Sequence, residues 1–262
     1  MNSNDENWLD YSKETFPLQV FRNITKFDLL SSTVSIPQNS KTYIDYETLI
    51  WLKKAERTNK IPQNYLSKID LLCSKIYPKH HSYRKFSDKK ILFKTFSDIL
   101  YKAYGYDEKN NTRGYGSGGA LYPVNTIIFI LNDRAVEKLK KGTYYFYPAG
   151  NCLYQLNTFT EETSQKLQLA LYPSKKVADS NIAIGYAVDM RKVVRKYKYL
   201  GYKNALIEIG LMAQALKASL PTSMGEYSCQ NFNNRILTSL ADLDIKNSPI
   251  EMIQWLGYKA NE

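Results

Sequence analysis

Apolar residues fall into two kinds of run along this chain. From Asn181 to Asp189 (NIAIGYAVD) they are almost continuous, the pattern of a strand buried on both faces. From Tyr202 they recur at Ala205, Leu206, Ile209, Met212, Ala213 and Leu216, one face of a 3.6-residue helix. The flanking rows of that helix are also apolar or small, which places it in a core or a subunit interface. Gly210 costs it about 1 kcal/mol relative to Ala and predicts close packing there. Glu208 shares the helix and, if buried, needs a partner.

The same periods mark the other elements. Val124 to Leu131 reads as a buried strand. Gly142 to Pro148 and Cys152 to Leu156 read as a hairpin about Ala149-Gly150-Asn151. Ile250 to Leu256 reads as a last strand. Helices are expected at Tyr46 to Arg57, Pro62 to Ser74, Arg134 to Lys140, Glu161 to Leu171 and Asn233 to Leu240. Another is expected after a Ser87-Asp88 cap, with Leu92, Phe96, Ile99 and Ala103 on one face. Pro37 to Ser40 reads as a loop, and Met224 to Phe232 as irregular chain. The set predicts an α+β fold with helices on both faces of one mixed sheet. Residues 1–75 carry no site signature and read as a mainly helical appendage to a domain of residues 76–262.

Composition narrows the classes. The 262 residues are 44% hydrophobic and 23% charged, as in a folded globular protein. No run approaches the roughly 20 apolar residues that span a bilayer, so no membrane role is expected. Cys73, Cys152 and Cys229 stand far apart without a histidine beside them, which argues against zinc and for a reducing compartment. The N-terminus, MNSNDENWLDYSKE, does not read as a secretory signal, so the cytoplasm is expected. The net charge of +11 admits nucleic acid, an anionic cofactor or an acidic partner. The lysines are scattered and no aromatic-basic module stands out, so nucleic acid is not the expected partner.

Three stretches carry candidate chemistry. His80-His81-Ser82-Tyr83-Arg84-Lys85-Phe86 holds both histidines beside hydroxyl and guanidinium donors. Adjacent histidines cannot share a helix face, so an anion site suits them better than a metal. Ser117-Gly118-Gly119-Ala120-Leu121-Tyr122-Pro123 stands before a strand, and its glycines let backbone N–H groups approach a ligand. It is neither a Walker loop nor a dinucleotide fingerprint. In Arg195-Lys196-Tyr197-Lys198-Tyr199, lysines and tyrosines alternate just before the long helix; by itself this also reads as a solvated basic loop.

Taken together, SGGALYP (117–123), KYKYLGYKNALIEIGLMAQ (196–214) and HHSYRKF (80–86) resemble the FMN-dependent nitroreductase superfamily. Within it they are similar to the thiazole/oxazole dehydrogenases of microcin- and streptolysin-type peptide biosynthesis. The likeness spans about residues 80–258. It implies a nitroreductase-like sheet flanked by helices, with FMN at a homodimer interface. It further implies that His80, His81, Ser82 and Arg84 hold the FMN phosphate and that Ser117, Gly118 and Gly119 lie against the isoalloxazine ring. Gln230 and Asn231 fall where an N–H meets flavin N5, with Asn231 in place of the common glycine of a positive-φ position, and Lys259 where a basic side chain reaches the phosphate.

Lys196 and Tyr197 match the subgroup's catalytic pair. An azoline becomes an azole by losing a proton to a base and a hydride to flavin N5. A lysine is such a base only with its pKa well below the usual ~10.4, and Arg195 and Lys198 are neighbouring cations that would lower it. The implied substrate is a modified precursor peptide, and the implied partner the cyclodehydratase that forms its rings. The rival readings are a general NAD(P)H-dependent FMN nitroreductase for small molecules and a non-catalytic subunit of a peptide-modifying complex.

Overall fold

The computed structural model describes residues 16–32, 46–55, 64–72, 81–172, 176 and 178–260. The loop expected at Pro37 to Ser40, and His80, lie outside the described residues. Two units form, one from residues 1–34 with 82–262 and a smaller one from residues 35–81. The smaller unit holds α2 (Tyr46–Ala55). The helix expected over Pro62 to Ser74 is not formed across residues 64–72, which are exposed throughout. A short isolated turn without a packed face lacks the contacts that hold a helix in water.

The larger unit begins with α1 (Leu18–Ser32), whose Ile24, Thr25 and Asp28 are buried. By its contacts this helix belongs to the larger unit. The body is a six-stranded sheet of β3 (Val124–Ile130), β4 (Gly142–Tyr147), β5 (Cys152–Thr158), β6 (Ile182–Val188), β7 (Met224–Cys229) and β8 (Ile250–Tyr258), in the order β5-β4-β3-β6-β8-β7. Every neighbouring pair is antiparallel, so the expected α+β class holds while the sheet is not mixed. A small ribbon, β1 (Tyr106–Asp107) with β2 (Thr112–Arg113), stands before the glycine-rich turn.

Side-chain alternation builds two cores. Ile128, Ile130, Ile184, Tyr186 and Val188 face α3 (Phe93–Tyr104), α5 (Met190–Tyr197) and α6 (Tyr199–Ser219). Ile127, Phe129, Ala183, Ala187 and Trp255 face α4 (Glu161–Leu171) and α7 (Asn234–Leu240). The indole of Trp255 stacks on Tyr172, with centroids 5.5 Å apart and planes 7° from parallel.

Four local expectations are corrected. Ser87 and Asp88 do not cap α3; Leu92 holds the cap position, and the Phe93 N–H donates to Glu137 Oε2 at 3.2 Å. Residues 134–140 form turns instead of a helix, because Val136 pairs with Ile91 and Lys138 takes φ +65°. The segment after Pro221 forms edge strand β7. Gly210 is exposed and a Cβ there would meet nothing within 4 Å, so it marks no close packing within this chain.

The basic run is largely helical. Asp189 caps α5 by accepting the Lys192 N–H at 2.9 Å. Lys198 ends α5 at φ +53°, ψ −131°, and α6 starts one residue later. Gly201 permits that sharp junction, since a Cβ there would stand 2.2 Å from the Val193 carbonyl oxygen. Lys196 and Tyr197 are therefore fixed at the last turn of α5. Beyond the junction, α6 buries Tyr202, Ala205, Glu208, Ile209, Met212 and Leu216, while Leu206 points outward with Leu200, Ile207 and Leu211.

Candidate active site

The turn from Ser117 to Tyr122 is unusually bent. Gly119 takes φ +62°, Ala120 +53° and Tyr122 +46°. For an L-residue each such conformation costs roughly 1–2 kcal/mol, so the surroundings must hold it. Ser117 does so at the centre. Its hydroxyl donates a short hydrogen bond to Glu208 Oε2, and its oxygen accepts the Tyr122 N–H at 2.8 Å. At the far end the Tyr122 hydroxyl accepts the Arg113 N–H at 3.1 Å and lies 3.0 Å from Thr112 Oγ1. The Arg113 guanidinium stands 4.7 Å over the Tyr122 ring and donates to the Tyr115 hydroxyl at 2.9 Å.

The catalytic pair expected from the sequence converges on this turn. Lys196 Nζ donates to the Gly119 carbonyl at 2.9 Å. It stands 5.1 Å over the Tyr197 ring. A Cβ on Gly119 would lie 1.9 Å from the Tyr197 hydroxyl oxygen and 2.9 Å from Lys196 Nζ. Position 119 must be glycine for two reasons, its φ and the room that the two side chains take up. Gly118 is similarly confined, since a Cβ there would meet the Asn204 amide nitrogen at 2.8 Å.

Burial shapes the charges beneath. Desolvation pushes the Glu208 carboxyl up to about 7, against the Ser117 hydrogen bond and the positive charges of Arg113 and Lys192. Desolvation lowers Lys192, with Asp189 opposing it. It also raises Tyr115 to about 12. Glu208 stood out in the sequence as a carboxylate on an apolar helix. Arg113, Lys192 and Asn204 carried no comparable signal, although Lys192 precedes Lys196 by one helical turn on α5.

Ser82, Arg84, Gln230, Asn231 and Lys259 lie at the β7–β8 end of the sheet. Tyr83 N–H donates to the Glu226 carbonyl at 2.9 Å, Ser87 N–H to the Tyr258 carbonyl at 2.9 Å, and Phe86 bridges to Lys259. This anchors Ser82 and Arg84 beside β7, where the Arg84 guanidinium lies 4.6 Å over the Tyr227 ring. Both side chains are exposed, and a hydroxyl beside a guanidinium is a donor set that fits a phosphate. Lys259 Nζ donates to the Thr222 carbonyl at 2.7 Å and stands 4.5 Å over Tyr83. Gln230 and Asn231 are exposed just past β7, with the Asn231 N–H on Cys229 Sγ at 3.2 Å. Asn231 is not among the positive-φ residues, contrary to the expectation for that position. His81 is exposed and belongs to the smaller unit.

The class of protein follows from this fold: the chain has the nitroreductase fold. Proteins assigned as nitroreductases from Ralstonia eutropha and Anabaena variabilis both superpose with a TM-score of 0.57 over 70% of this chain. They cover 80% and 37% of their own chains, at 16% and 18% identity. A likeness in particular then stands out. The microcin B17-processing protein McbC of Escherichia coli is 26% identical over 204 residues, 75% of this chain and 74% of that protein. A chain of the E. coli microcin synthetase McbBCD complex with truncated pro-MccB17 bound matches with a TM-score of 0.80. It covers 95% of this chain and 96% of its own length, at 22% identity. The resemblance carried by the three motifs is thus upheld. No protein-family model matches the chain. Among the described residues no helix is long and apolar enough to cross a membrane.

Proposed function

We propose that this protein is an FMN-dependent dehydrogenase that oxidises thiazoline or oxazoline rings to azoles in a ribosomally made peptide. It works in the cytoplasm as a homodimer, in complex with the cyclodehydratase that makes the rings. The observation that carries this reading is the meeting of Lys196 and Tyr197 on Gly119. Two motifs 77 residues apart, each similar to the azole dehydrogenases, are thereby brought to one point. The likeness to McbC and to the McbBCD complex with bound peptide precursor supports the substrate class and the assembly.

FMN fits the donor chemistry present. Ser82 and Arg84 would hold its phosphate; Ser117, Gly118 and Gly119 would lie against its ring, and Gln230 and Asn231 near N5. Lys259, which gives one of its three N–H donors to the Thr222 carbonyl, would join them with the others. Bound FMN supplies the acceptor for the hydride lost by the azoline.

Lys196 performs the acid–base half of the reaction. In its neutral form Nζ takes the proton from the ring carbon as the C–H bond breaks. The Gly119 carbonyl accepts one N–H of Lys196 and so fixes where the nitrogen's remaining valence points. Tyr197, packed against the Gly119 Cα, sets the wall that orients the ring.

The test is direct. Purified protein with added FMN should show flavin bands shifted from those of the free cofactor, and an azoline peptide should lose two hydrogens by mass spectrometry. Protein that stays colourless, or that reduces nitroaromatics with NAD(P)H while leaving the azoline intact, contradicts the proposal.

A further inference from the structure

Glu208 is 2% exposed, on a helix whose other buried residues are apolar or small apart from Tyr202. A carboxylate there is costly, and helix packing alone would be served better by an apolar side chain. One hydrogen bond goes to the hydroxyl of Ser117, at the start of the bent turn, and the backbone N–H of Val124, at the start of β3, donates another. Ser117 in turn accepts the Tyr122 N–H at the end of that turn. Between the two lies Gly119, whose carbonyl receives Lys196. The charged groups that face Glu208 are Arg113 from β2 and Lys192 from α5, which steady its negative charge.

We propose that Glu208 is a positioning residue of the site: by holding Ser117 it fixes the 117–122 turn, and through the Gly119 carbonyl it sets where Lys196 presents its nitrogen. The inference rests on the reading of Lys196 as the base. Its structural half, Glu208 to Ser117 to turn, stands apart from that reading and can be measured apart from it.

The first arm is amide hydrogen exchange, read by mass spectrometry on full-length protein with FMN added. E208A and S117A should speed exchange in a peptide covering residues 115–123 by about 10-fold, with β4 and β6 peptides unchanged. Wild-type exchange in that peptide for both variants would overturn the proposal. The second arm is turnover of an azoline peptide. E208A and S117A should lower kcat about 10-fold or more with KM held within about twofold. E208Q, whose amide oxygen still accepts the Ser117 proton, should restore most of the loss. The E208A/S117A double variant should be no slower than the slower of the two single variants, because the two act along one path. Losses that multiply, or that fall on KM only, refute the proposal. If E208A does not fold, S117A, on a half-buried turn, carries both arms. If K196A keeps full activity, the reading of Lys196 fails while the exchange arm still reports on Glu208.

Discussion

Gly119→Ala is the sharpest perturbation of this site, because one methyl group addresses both side chains at once. The added carbon would stand 1.9 Å from the Tyr197 hydroxyl oxygen and 2.9 Å from Lys196 Nζ. Ordinary contact begins near 3.4 Å, so Tyr197 must retreat by about 1.5 Å (3.4 − 1.9) and Lys196 by about 0.5 Å (3.4 − 2.9). Both are flexible side chains and can move, so the steric cost to folding is small. The φ of +62° adds roughly 1–2 kcal/mol for a residue with a Cβ. Catalysis suffers more: a misplacement near 1 Å can cost about 10²-fold in rate, or about 2.7 kcal/mol of barrier. G119A should therefore unfold at slightly lower denaturant and, once loaded with FMN, oxidise an azoline peptide about 10²-fold more slowly. The assay is kcat by mass spectrometry beside a urea melt. A kcat within about threefold of wild type, from folded protein, would refute the packing of this pair against Gly119.

Other expectations follow from buried or strained positions. Asp28 of α1, buried, and Glu251 of β8, half-buried, form a carboxyl pair, with the Tyr202 hydroxyl donating to Asp28 at 2.9 Å. Burial, and then the neighbouring Asp28, push Glu251 up to about 9. A carboxyl raised in the folded state favours folding most at low pH, and that stability is lost as pH rises from about 4.5 towards 9. Glu251→Gln should flatten this loss and stabilise the protein at pH 9 by on the order of 1–3 kcal/mol in thermal melts, and an unchanged slope would count against the pair. Lys198→Gly relieves φ +53°, ψ −131°, and should raise stability by about 1 kcal/mol; a lower melting temperature would contradict that strain. Gly210→Ala, facing open space on α6, should add roughly 0.5–1 kcal/mol of helix stability. A drop instead would show another surface pressed against that position.

The buried strands β3 and β6 were legible because continuous apolar runs leave few alternatives. So was α4, where Thr160 forms a capping box with Thr163. Edge strand β7 was not, since MGEYSC lacks that pattern and is held by pairing with β8. The turns at 134–140 escaped because their shape comes from tertiary pairing with Ile91. At the site, the residue types and their order were readable as motifs. Their meeting point was not, because the Lys196 to Gly119 contact depends on the helix break at Lys198 and on three positive-φ residues. Arg113 and Lys192 are unremarkable in sequence and gain their place only when β2 and α5 are brought together around Tyr122.

The central claim is that the Lys196 amine removes the proton that makes the ring aromatic. The direct measurement is the mass of an azoline peptide after incubation with K196A that has been shown to carry FMN by its absorption. The account predicts no loss of two hydrogens from K196A under conditions where wild type converts the peptide fully. Conversion by K196A at a rate near that of wild type would contradict it.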